Sequence, residues 1–173
     1  MAVYELLPST HPSLSVPLTE VTNDQEGREQ IQQDLVDTMR AKSGVGLSAN
    51  QIGISARVFS MYADVKKKDI IVCFNPKIVT MSEEEILMDE GCLSYPGLWL
   101  KVRRPEGIEV TYEDAKGELQ EKAMFGLEAR IFQHEYDHME GLNFTQRVSK
   151  LKMDRAKKRL KKIQKKLDKP VLP

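Results

Sequence analysis

The sequence has few of the residues on which several protein classes depend. It contains two cysteines, one tryptophan and three histidines in 173 residues, and no long apolar run. Because a membrane helix needs about 20 consecutive apolar residues, none is expected. Two cysteines are too few for a disulfide framework, so Cys73 and Cys92 are expected to be free thiols or metal ligands. The first residues form neither a basic nor an apolar segment of secretory length, and we expect a cytoplasmic protein.

Net charge is absent as well, since 26 lysines and arginines balance 26 acidic residues, but the two signs are separated along the chain. Residues 150–169 contain eleven Lys or Arg and two acids, a net charge of +9, which leaves −9 on residues 1–149. A chain of this length holds one ordinary domain. We therefore predict a folded domain over residues 1–149 and a basic helical tail over residues 150–173. The tail is either a solvated helix face or a contact for nucleic acid or an acidic partner.

Apolar residues recur at helical spacing in three segments, which we predict to be helices. They are residues 23–42, with Ile31, Leu35, Val36 and Met39; residues 126–139, with Leu127, Ile131, His134 and His138, followed by Gly141 as a C-cap; and the tail, with Met153, Ala156, Leu160, Ile163 and Leu167, ended by Pro170. Residues 44–51 are small and glycine-containing and predict a tight loop.

Short runs rich in β-branched and aromatic residues between the first two helices predict seven strands. These are residues 57–61, 70–74, 77–81, 85–88, 98–102, 108–112 and 119–124, with a hairpin turn at residues 114–117. The short spacings favour antiparallel pairing. The whole pattern predicts an α+β fold, with an antiparallel β-sheet region around a central helix and with N-terminal and C-terminal helices.

The central helix carries an HExxH motif, His134-Glu135-Tyr136-Asp137-His138. Side chains four residues apart lie on one helix face, roughly 5–6 Å between Cβ atoms, so two imidazoles there can share one metal ion. Glu135 follows the first of them, where a helical carboxylate can reach a water on the metal and act as general base. Two histidines at this spacing could instead bond to each other or to a core carbonyl. We favour the metal site.

A catalytic divalent site needs a third protein ligand and one open position. No histidine follows His138, and the acids that do follow it are poorly placed. Glu140 is too close in sequence, and Asp154 and Asp168 lie in the basic tail. The third ligand is therefore expected upstream of the helix.

Cys92 is the best upstream candidate, because a thiolate is a strong metal donor and residues 90–96 form a turn punctuated by glycine and proline. Asp89 or Glu90 is the competing ligand. Cys92 could also be buried as a small hydrophobic residue, but Cys73, within an apolar run, fits that role better.

Three segments together resemble the peptide deformylase family in their order and spacing: residues 44–51, residues 90–94 and residues 134–138. Many metallopeptidases share the HExxH pattern, whereas the combination of the three segments is specific. The resemblance spans about residues 24–148. It implies a metal-dependent hydrolase that removes the formyl group from the N-terminal formyl-methionine of nascent polypeptides and releases formate.

The resemblance also implies a role for each site residue. Cys92, His134 and His138 would hold one divalent ion, iron(II) in the native enzyme, with zinc, nickel or cobalt able to replace it. Glu135 would accept a proton from the attacking water and pass it to the departing amine.

Substrate contacts follow from the same resemblance. The Gln51 side-chain amide and the backbone N–H of Leu93 would stabilise the oxyanion formed at the formyl carbon, although Gln51 could instead only tie its loop together. Gly46 and the backbone beside it would bind the substrate as an added strand. The methionine side chain would occupy an apolar pocket near Val45, Leu127 and Ile131.

Two residues depart from the family pattern. Trp99 stands where many relatives carry an arginine that contacts substrate. Arg130 stands near the pocket where many carry an aliphatic residue, and we expect it to point to solvent.

Glu90 is expected to pair with Arg104 and position the Cys92 turn, as a surface pair of little energetic weight.

Two other functions remain open at this point: an HExxH zinc endopeptidase, and a non-catalytic ribosome-binding module with a structural metal. Structural metal sites are usually closed by four protein ligands, whereas three ligands and a carboxylate are found here, which favours catalysis. The expected partners are formyl-methionyl nascent polypeptides and, through the basic helix, the ribosome. We expect a monomer that does not contact a membrane.

Overall fold

The computed structural model describes residues 2–22 and 25–167, with side chains to residue 165. Its helices and strands are α1 Gln25–Ala41, β1 Gly46–Ser48, β2 Val58–Asp64, β3 Asp69–Met81, β4 Glu85–Cys92, β5 Tyr95–Pro105, β6 Gly107–Glu113, β7 Leu119–Phe125, α2 Gly126–Met139 and α3 Lys150–Leu167. The predicted α+β class is confirmed. No helix in the described ranges has the length and apolarity needed to cross a membrane.

All strand pairs in the described residues are antiparallel, as predicted. A five-stranded sheet has the order β1-β2-β3-β6-β7, and β4 and β5 form a separate two-stranded hairpin. The 126–139 helix, α2, packs against β1, β2 and β7 of the large sheet. The strand β1 lies at the edge of the large sheet. Within that sheet it pairs with β2 on one side, and its other side faces no further strand of the sheet.

Two apolar clusters hold helices against the large sheet. One joins α2 to the sheet and includes Phe59, Met61, Met124 and Phe132, and the rings of Phe59 and Phe132 meet edge to face at 5.1 Å. The other includes Leu35 and Met39 of α1 and Leu47, Val58 and Phe74 of the sheet. Burying each such side chain stabilises the fold by roughly 1.5–3 kcal/mol. The sheet is therefore held by α1 and α2 together.

The predicted strands 70–74 and 77–81 are one strand, β3, interrupted by an irregularity. Its register with β6 shifts between Phe74 and Lys77, where Asn75 has a left-handed φ of 48°. The Asn75 amide accepts a bond from the Val21 N–H at 2.7 Å and donates to the Val21 carbonyl at 3.0 Å. The Asn-Pro pair thus marks a bulge within a strand and not a break between two strands.

The prediction that residues 44–51 form a loop is wrong in part. Gly46–Ser48 is the strand β1, paired with β2, and Ala49–Ile52 is a short 3-10 turn. A strand of three residues is too short to show a period of two in the sequence. Only its hydrogen bonds with β2 define it.

The predicted boundaries of α2 agree with the structure at both ends. Gly141 directly follows the cap and has a φ of 69°, and the N–H of Leu142 returns to the carbonyl of Asp137 at 2.9 Å. An added Cβ at Gly141 would lie 2.8 Å from the Val16 carbonyl carbon, so only glycine fits. For α1, the predicted start at Asn23 lies outside the described residues.

The tail helix α3 contacts the β4–β5 hairpin through one side. Met153, Ala156 and Leu160 pack on a cluster formed by Leu98, Leu100, Val102 and Phe144. Farther along, Ile163 is 46% exposed. Leu167, the last residue of the predicted seam, has a side chain beyond those described, and Pro170 lies beyond the described residues altogether.

Candidate active site

Three donors converge between the hairpin and α2. Cys92 ends β4, His134 and His138 lie one turn apart on α2, and their ligand atoms are within 4.8 Å of one another. The Cys92 Sγ is 3.5 Å from the His138 Nε2. A tetrahedral metal with sulfur at about 2.3 Å and nitrogen at about 2.05 Å would separate these two atoms by about 3.5 Å. The donor set and its spacing fit a divalent ion.

The competing ligands are engaged elsewhere in the described structure. Asp89 has a side chain that is 60% exposed, and it pairs with Lys101 at 3.3 Å. Glu90 bonds to arginines and to the back of an imidazole, as described next. Cys73, by contrast, is fully buried in the α2 cluster, and burial raises the pKa of its thiol well above the usual value.

Glu90 is the centre of a buried ion-pair network. It accepts two bonds from Arg104, at 2.7 and 3.0 Å, and one from Arg130 at 2.7 Å. Its other contact is the Nδ1 of His134 at 3.1 Å. Burial by itself would raise the pKa of Glu90, but its bonds with His134, Arg104 and Arg130 hold that pKa well below its usual range. The predicted Glu90–Arg104 pair is present, and it is buried, not a surface pair.

The network sets the tautomer of His134. A carboxylate can only accept, so the Nδ1 of His134 donates to Glu90 and leaves Nε2 facing the cluster. Burial would lower the pKa of His134, but its bonds with Cys92 and Glu90 raise that pKa to about 10. Burial, together with the charges of His134 and Arg104, lowers the pKa of His138 to about 3. A bound cation would replace the extra proton of His134, because metal ligands must be deprotonated.

The prediction that Arg130 points to solvent is wrong. The residue is 3% exposed, and besides Glu90 its guanidinium donates to the carbonyls of Val102 at 2.9 Å and Ile86 at 2.7 Å. These carbonyls lie on the two strands of the hairpin. The helical pattern marks only the face of α2 that meets the large sheet, whereas the hairpin covers the opposite face.

Asp137 extends the network and was not predicted. Its carboxylate bonds to Arg104 at 2.9 Å and to Arg147, whose Nε lies 3.1 Å away. Asp137 is the fourth residue of the HExxH segment, but no feature of the sequence pairs it with arginines 33 and 10 residues away. The network thereby joins the hairpin, α2 and the turn that precedes α3.

Glu135 is buried beside the cluster, and burial raises the pKa of its carboxyl. The hydroxyl of Ser48 donates to Glu135 Oε2 at 2.6 Å. A Cβ added to Gly46 would lie 2.4 Å from Glu135 Oε1, so the glycine leaves room for the carboxylate. The sequence analysis missed Ser48, whose contact with Glu135 joins residues 87 positions apart.

Gln51 reaches the cluster from the turn after β1. Its Nε2 lies 3.3 Å from the Cys92 Sγ and 3.1 Å from the Ser94 Oγ, while its Oε1 accepts the Ser48 N–H at 2.9 Å. The amide therefore ties its own loop and also points a donor at the cluster. Leu93 directly follows Cys92, and its side chain packs against Gly44.

A cavity of about 470 Å³ opens in front of these residues. The residues predicted to contact substrate all line it, together with Cys92, His134 and Glu135: they are Val45, Gly46, Leu127 and Ile131. Trp99 also lines the cavity and is 65% exposed. His11, the third histidine of the chain, is exposed; its Nδ1 lies 2.8 Å from the Ser13 Oγ, and it is not among the residues that line the cavity.

A small α+β fold with a cysteine and two histidines at metal-ligand spacing, and a buried carboxylate beside them, defines a metal-dependent hydrolase. The family model for polypeptide deformylase matches residues 3–154. The chain therefore belongs to the peptide deformylase family, whose members remove the N-formyl group from nascent peptides.

Relatives cover most of the chain. A peptide deformylase of Thermotoga petrophila is 38% identical over 143 residues, which are 83% of this chain and 85% of that protein. A peptide deformylase-like protein of Brucella melitensis is 37% identical over 164 residues, 95% of this chain and 99% of that protein. The Met-Ala-Ser-bound structure of a class I type b peptide deformylase from Acinetobacter baumannii matches with a TM-score of 0.79 at 31% identity, covering 85% of this chain and 99% of that one.

Proposed function

We propose that Cys92, His134 and His138 hold the divalent ion with which this chain removes the formyl group of formyl-methionyl peptides. The convergence of these three donors beside Glu135 is the observation that carries the proposal. When bound, the ion supplies Lewis acidity, which polarises the formyl group and makes water a better acid. One thiolate and two imidazoles suit iron(II), zinc, nickel and cobalt alike, and we propose iron(II) as the native metal on the family resemblance.

Glu135 is the proton carrier in this proposal. Burial raises the pKa of Glu135, which suits a carboxylate that must both take up and release a proton. Ser48 holds one of its oxygens, which keeps the other free to accept the proton of the attacking water and to deliver it to the departing amine. Glu90 is unsuited to this task because two arginines hold it ionised.

Gln51 and Leu93 provide the oxyanion donors. The amide of Gln51 is fixed through its oxygen by Ser48, so its nitrogen stays aimed at the cluster. The backbone N–H of Leu93 is the second donor, one residue beyond Cys92. A donor aimed at the oxyanion is worth about 2.7–4 kcal/mol of barrier. The position of both donors beside Cys92 supports this role.

The substrate binds as an extended strand at the edge of β1. Gly46 lies on that edge, and strand addition there would supply backbone hydrogen bonds. The methionine side chain enters the cavity between Val45, Leu127 and Ile131, and the cavity volume lies within the range of roughly 300–1,000 Å³ usual for small ligands. The relative with Met-Ala-Ser bound supports a peptide ligand of this kind.

We further propose a monomeric cytoplasmic enzyme with a catalytic domain over residues 1–149 and a tail over residues 150–173 that contacts the ribosome. Cys73 and Cys92 are both free thiols, which suits a reducing compartment. In α3 through residue 165, every lysine and arginine side chain is exposed. This basic helix fits an RNA phosphate backbone by charge.

The assay for the proposed function measures formate released from formyl-Met-Ala-Ser, with acetyl-Met-Ala-Ser as the control. We expect turnover of the formylated peptide alone, and its loss after chelation and recovery after addition of iron(II) or nickel. Cleavage of an internal bond in either peptide would support the endopeptidase alternative instead. Absence of formate with the metal-loaded protein would refute deformylation.

A further inference from the structure

Phe144 lies beside the donor cluster, in the short turn Phe144–Arg147 that precedes α3. Its side chain is fully buried, and it is not among the residues that line the cavity. Its ring centroid is 5.6 Å from that of the His134 imidazole, with an angle of 44° between the two ring planes. Phe144 therefore packs on a proposed metal ligand without facing the space in which substrate would bind.

The same ring reaches the hairpin that carries the cysteine donor. Tyr95 meets Phe144 edge to face, with 5.5 Å between the ring centroids and an angle of 85°. Tyr95 is the register partner of Cys92 across the hairpin, and both residues pack on the apolar cluster to which Phe144 belongs. One side chain thus joins the two elements that supply the donors, α2 and the β4–β5 hairpin.

A hydrogen bond and ring packing together constrain the imidazole of His134. The bond from its Nδ1 to Glu90, at 3.1 Å, selects the nitrogen that faces the cluster. The torsion that turns a histidine ring is soft, however, and a change in it displaces Nε2. The rings of His138, at 5.5 Å, and Phe144, at 5.6 Å, both pack against this imidazole and limit that torsion.

The turn that carries Phe144 is itself fixed by polar contacts. The Asn143 side chain accepts the N–H of Thr145 at 3.1 Å. The Arg147 Nε lies 3.1 Å from the carboxylate of Asp137, a residue of α2. These contacts give the Phe144 ring a defined place relative to α2, from which it can hold the neighbouring imidazole.

We propose that Phe144 is a positioning residue that holds His134 and Cys92 in the arrangement a divalent ion requires. The inference rests on the proposed function, because it assumes an ion at these ligands. Groups that orient metal ligands typically contribute about 10–100-fold to metal affinity. Loss of the ring should therefore weaken metal binding beyond any effect on the stability of the fold.

The test measures the cobalt(II) affinity of the whole chain, by competition with a chelator, for wild type, Phe144→Leu and Phe74→Leu. Phe74 is the matched control, because it is also fully buried but belongs to the cluster that joins α1 to the sheet. Both variants remove a buried ring and should lower the urea midpoint of the metal-free protein. We expect the Kd for cobalt(II) to rise roughly 10–100-fold in Phe144→Leu. In Phe74→Leu it should change less than about two-fold.

Two further readouts distinguish positioning from stability. The visible spectrum of the cobalt(II) protein depends on the geometry of its ligands, so its bands should shift or change intensity in Phe144→Leu and not in Phe74→Leu. At saturating metal, kcat for formyl-Met-Ala-Ser should fall in Phe144→Leu while KM stays near that of wild type, because Phe144 does not line the cavity. Phe144→Met, which is closer in volume to phenylalanine, takes the place of the leucine variant if that variant does not fold.

The outcomes separate the two proposals. Wild-type affinity and an unchanged spectrum in the Phe144 variant would overturn the positioning role, and so would an equal loss of affinity in Phe74→Leu. If wild type binds cobalt(II) but releases no formate, and Phe144→Leu weakens that binding, the proposed reaction fails and the positioning role stands. If wild type binds no cobalt(II), both fail.

Discussion

At the scale of single residues, the site depends on two buried carboxylates with opposite environments. Glu90 is surrounded by Arg104, Arg130 and the Nδ1 of His134, and its pKa is held well below the usual range. Glu135 has a single hydroxyl partner, and burial raises its pKa. The first therefore stays ionised and orients a histidine, while the second is suited to carry a proton.

The separate roles proposed for Glu135 and Cys92 predict different results for their substitutions, with Cys73 as the control. Glu135→Ala should lower kcat by about 10²–10⁴-fold and keep its metal, because only the proton carrier is lost. Cys92→Ala should lose most of its metal, whereas Cys73→Ala should keep it. Metal per chain after dialysis, measured beside formate release, checks all three variants. A Glu135→Ala protein that retains turnover would remove Glu135 from the mechanism.

Arg130 gives a prediction about stability. Replacing it with methionine leaves the carbonyls of Ile86 and Val102 and part of the Glu90 charge without their donor, which typically costs about 3–5 kcal/mol when a buried pair is broken. The matched control is Arg103→Met, because Arg103 is 61% exposed and lies 4.0 Å from Glu85. Urea unfolding should show a large loss for the first variant and about 0.5 kcal/mol or less for the second. Similar losses would mean that the buried network contributes no more than a surface pair.

At the scale of secondary-structure elements, the β4–β5 hairpin is the part that α2 and α3 position together. Arg130 of α2 donates to carbonyls on both hairpin strands, and the α3 side chains pack on Leu98 and Leu100 of β5. Cys92 ends one strand and Trp99 belongs to the other. The wall of the cavity is thus supported by the helices and not by the large sheet alone.

Two positions of α3 test whether this helix supports the hairpin. Leu160 lies 3.0 Å from the place where a Cβ of Gly97 would be, whereas Ile163 is 46% exposed. Leu160→Ala should cost about 1–2 kcal/mol, below the roughly 2–5 kcal/mol of a fully buried leucine, because its burial is partial. Ile163→Ala should change the free energy of unfolding by no more than about 0.5 kcal/mol. Equal effects in a urea titration would show that α3 does not rest on β5 through Leu160.

At the scale of the whole molecule, the charges are sorted to opposite parts of the chain, +9 on residues 150–169 and −9 on residues 1–149. The α3 side chains that pack on the hairpin are apolar, and the basic side chains described in this helix, through residue 165, are exposed. Because opposite charges lie in different parts of the molecule, a polyanion attracts the basic helix and repels the acidic remainder, so the protein approaches it with the helix in front. This arrangement is the structural basis for the proposed ribosome contact.

Charge reversal tests that contact without removing the helix. Lys158→Glu with Lys162→Glu changes one exposed stripe of α3, and Lys66→Glu with Lys67→Glu makes the same change of net charge in the exposed turn between β2 and β3. If both α3 lysines meet phosphates, the first variant should co-sediment less with ribosomes, and the slope of log affinity against log salt should fall by about 1.4–1.8. Deformylation of a free tripeptide should be unchanged in both. Equal co-sedimentation of the two variants would exclude α3 as the contact.

Several parts of this protein could be predicted from the sequence, because they depend on neighbours a few residues away. The helix of residues 126–139 shows a period of 3.6 and a glycine stop, and the residue 114–117 turn shows its own hydrogen-bonding residues. His134 and His138 are adjacent on any helix. Glycine and proline also drew attention to residues 90–96, but the prediction of a turn there is wrong in part, because β4 continues to Cys92, β5 begins at Tyr95 and only Leu93 and Ser94 form the turn. These local signals predicted the fold class and the residues that the structure brings together at the cluster.

Other parts were decided only by tertiary structure, because their causes lie far apart in the chain. Ser48 becomes a partner of Glu135 only when β1 packs beside α2, 87 residues later. Arg130 is buried because the hairpin covers the second face of α2, which a pattern with one apolar face cannot show. The strand β1 exists through its pairing with β2 and not through its composition. Hydrogen bonds and ion pairs between distant segments depend on how elements pack, and packing is set by the whole chain rather than by any window of it.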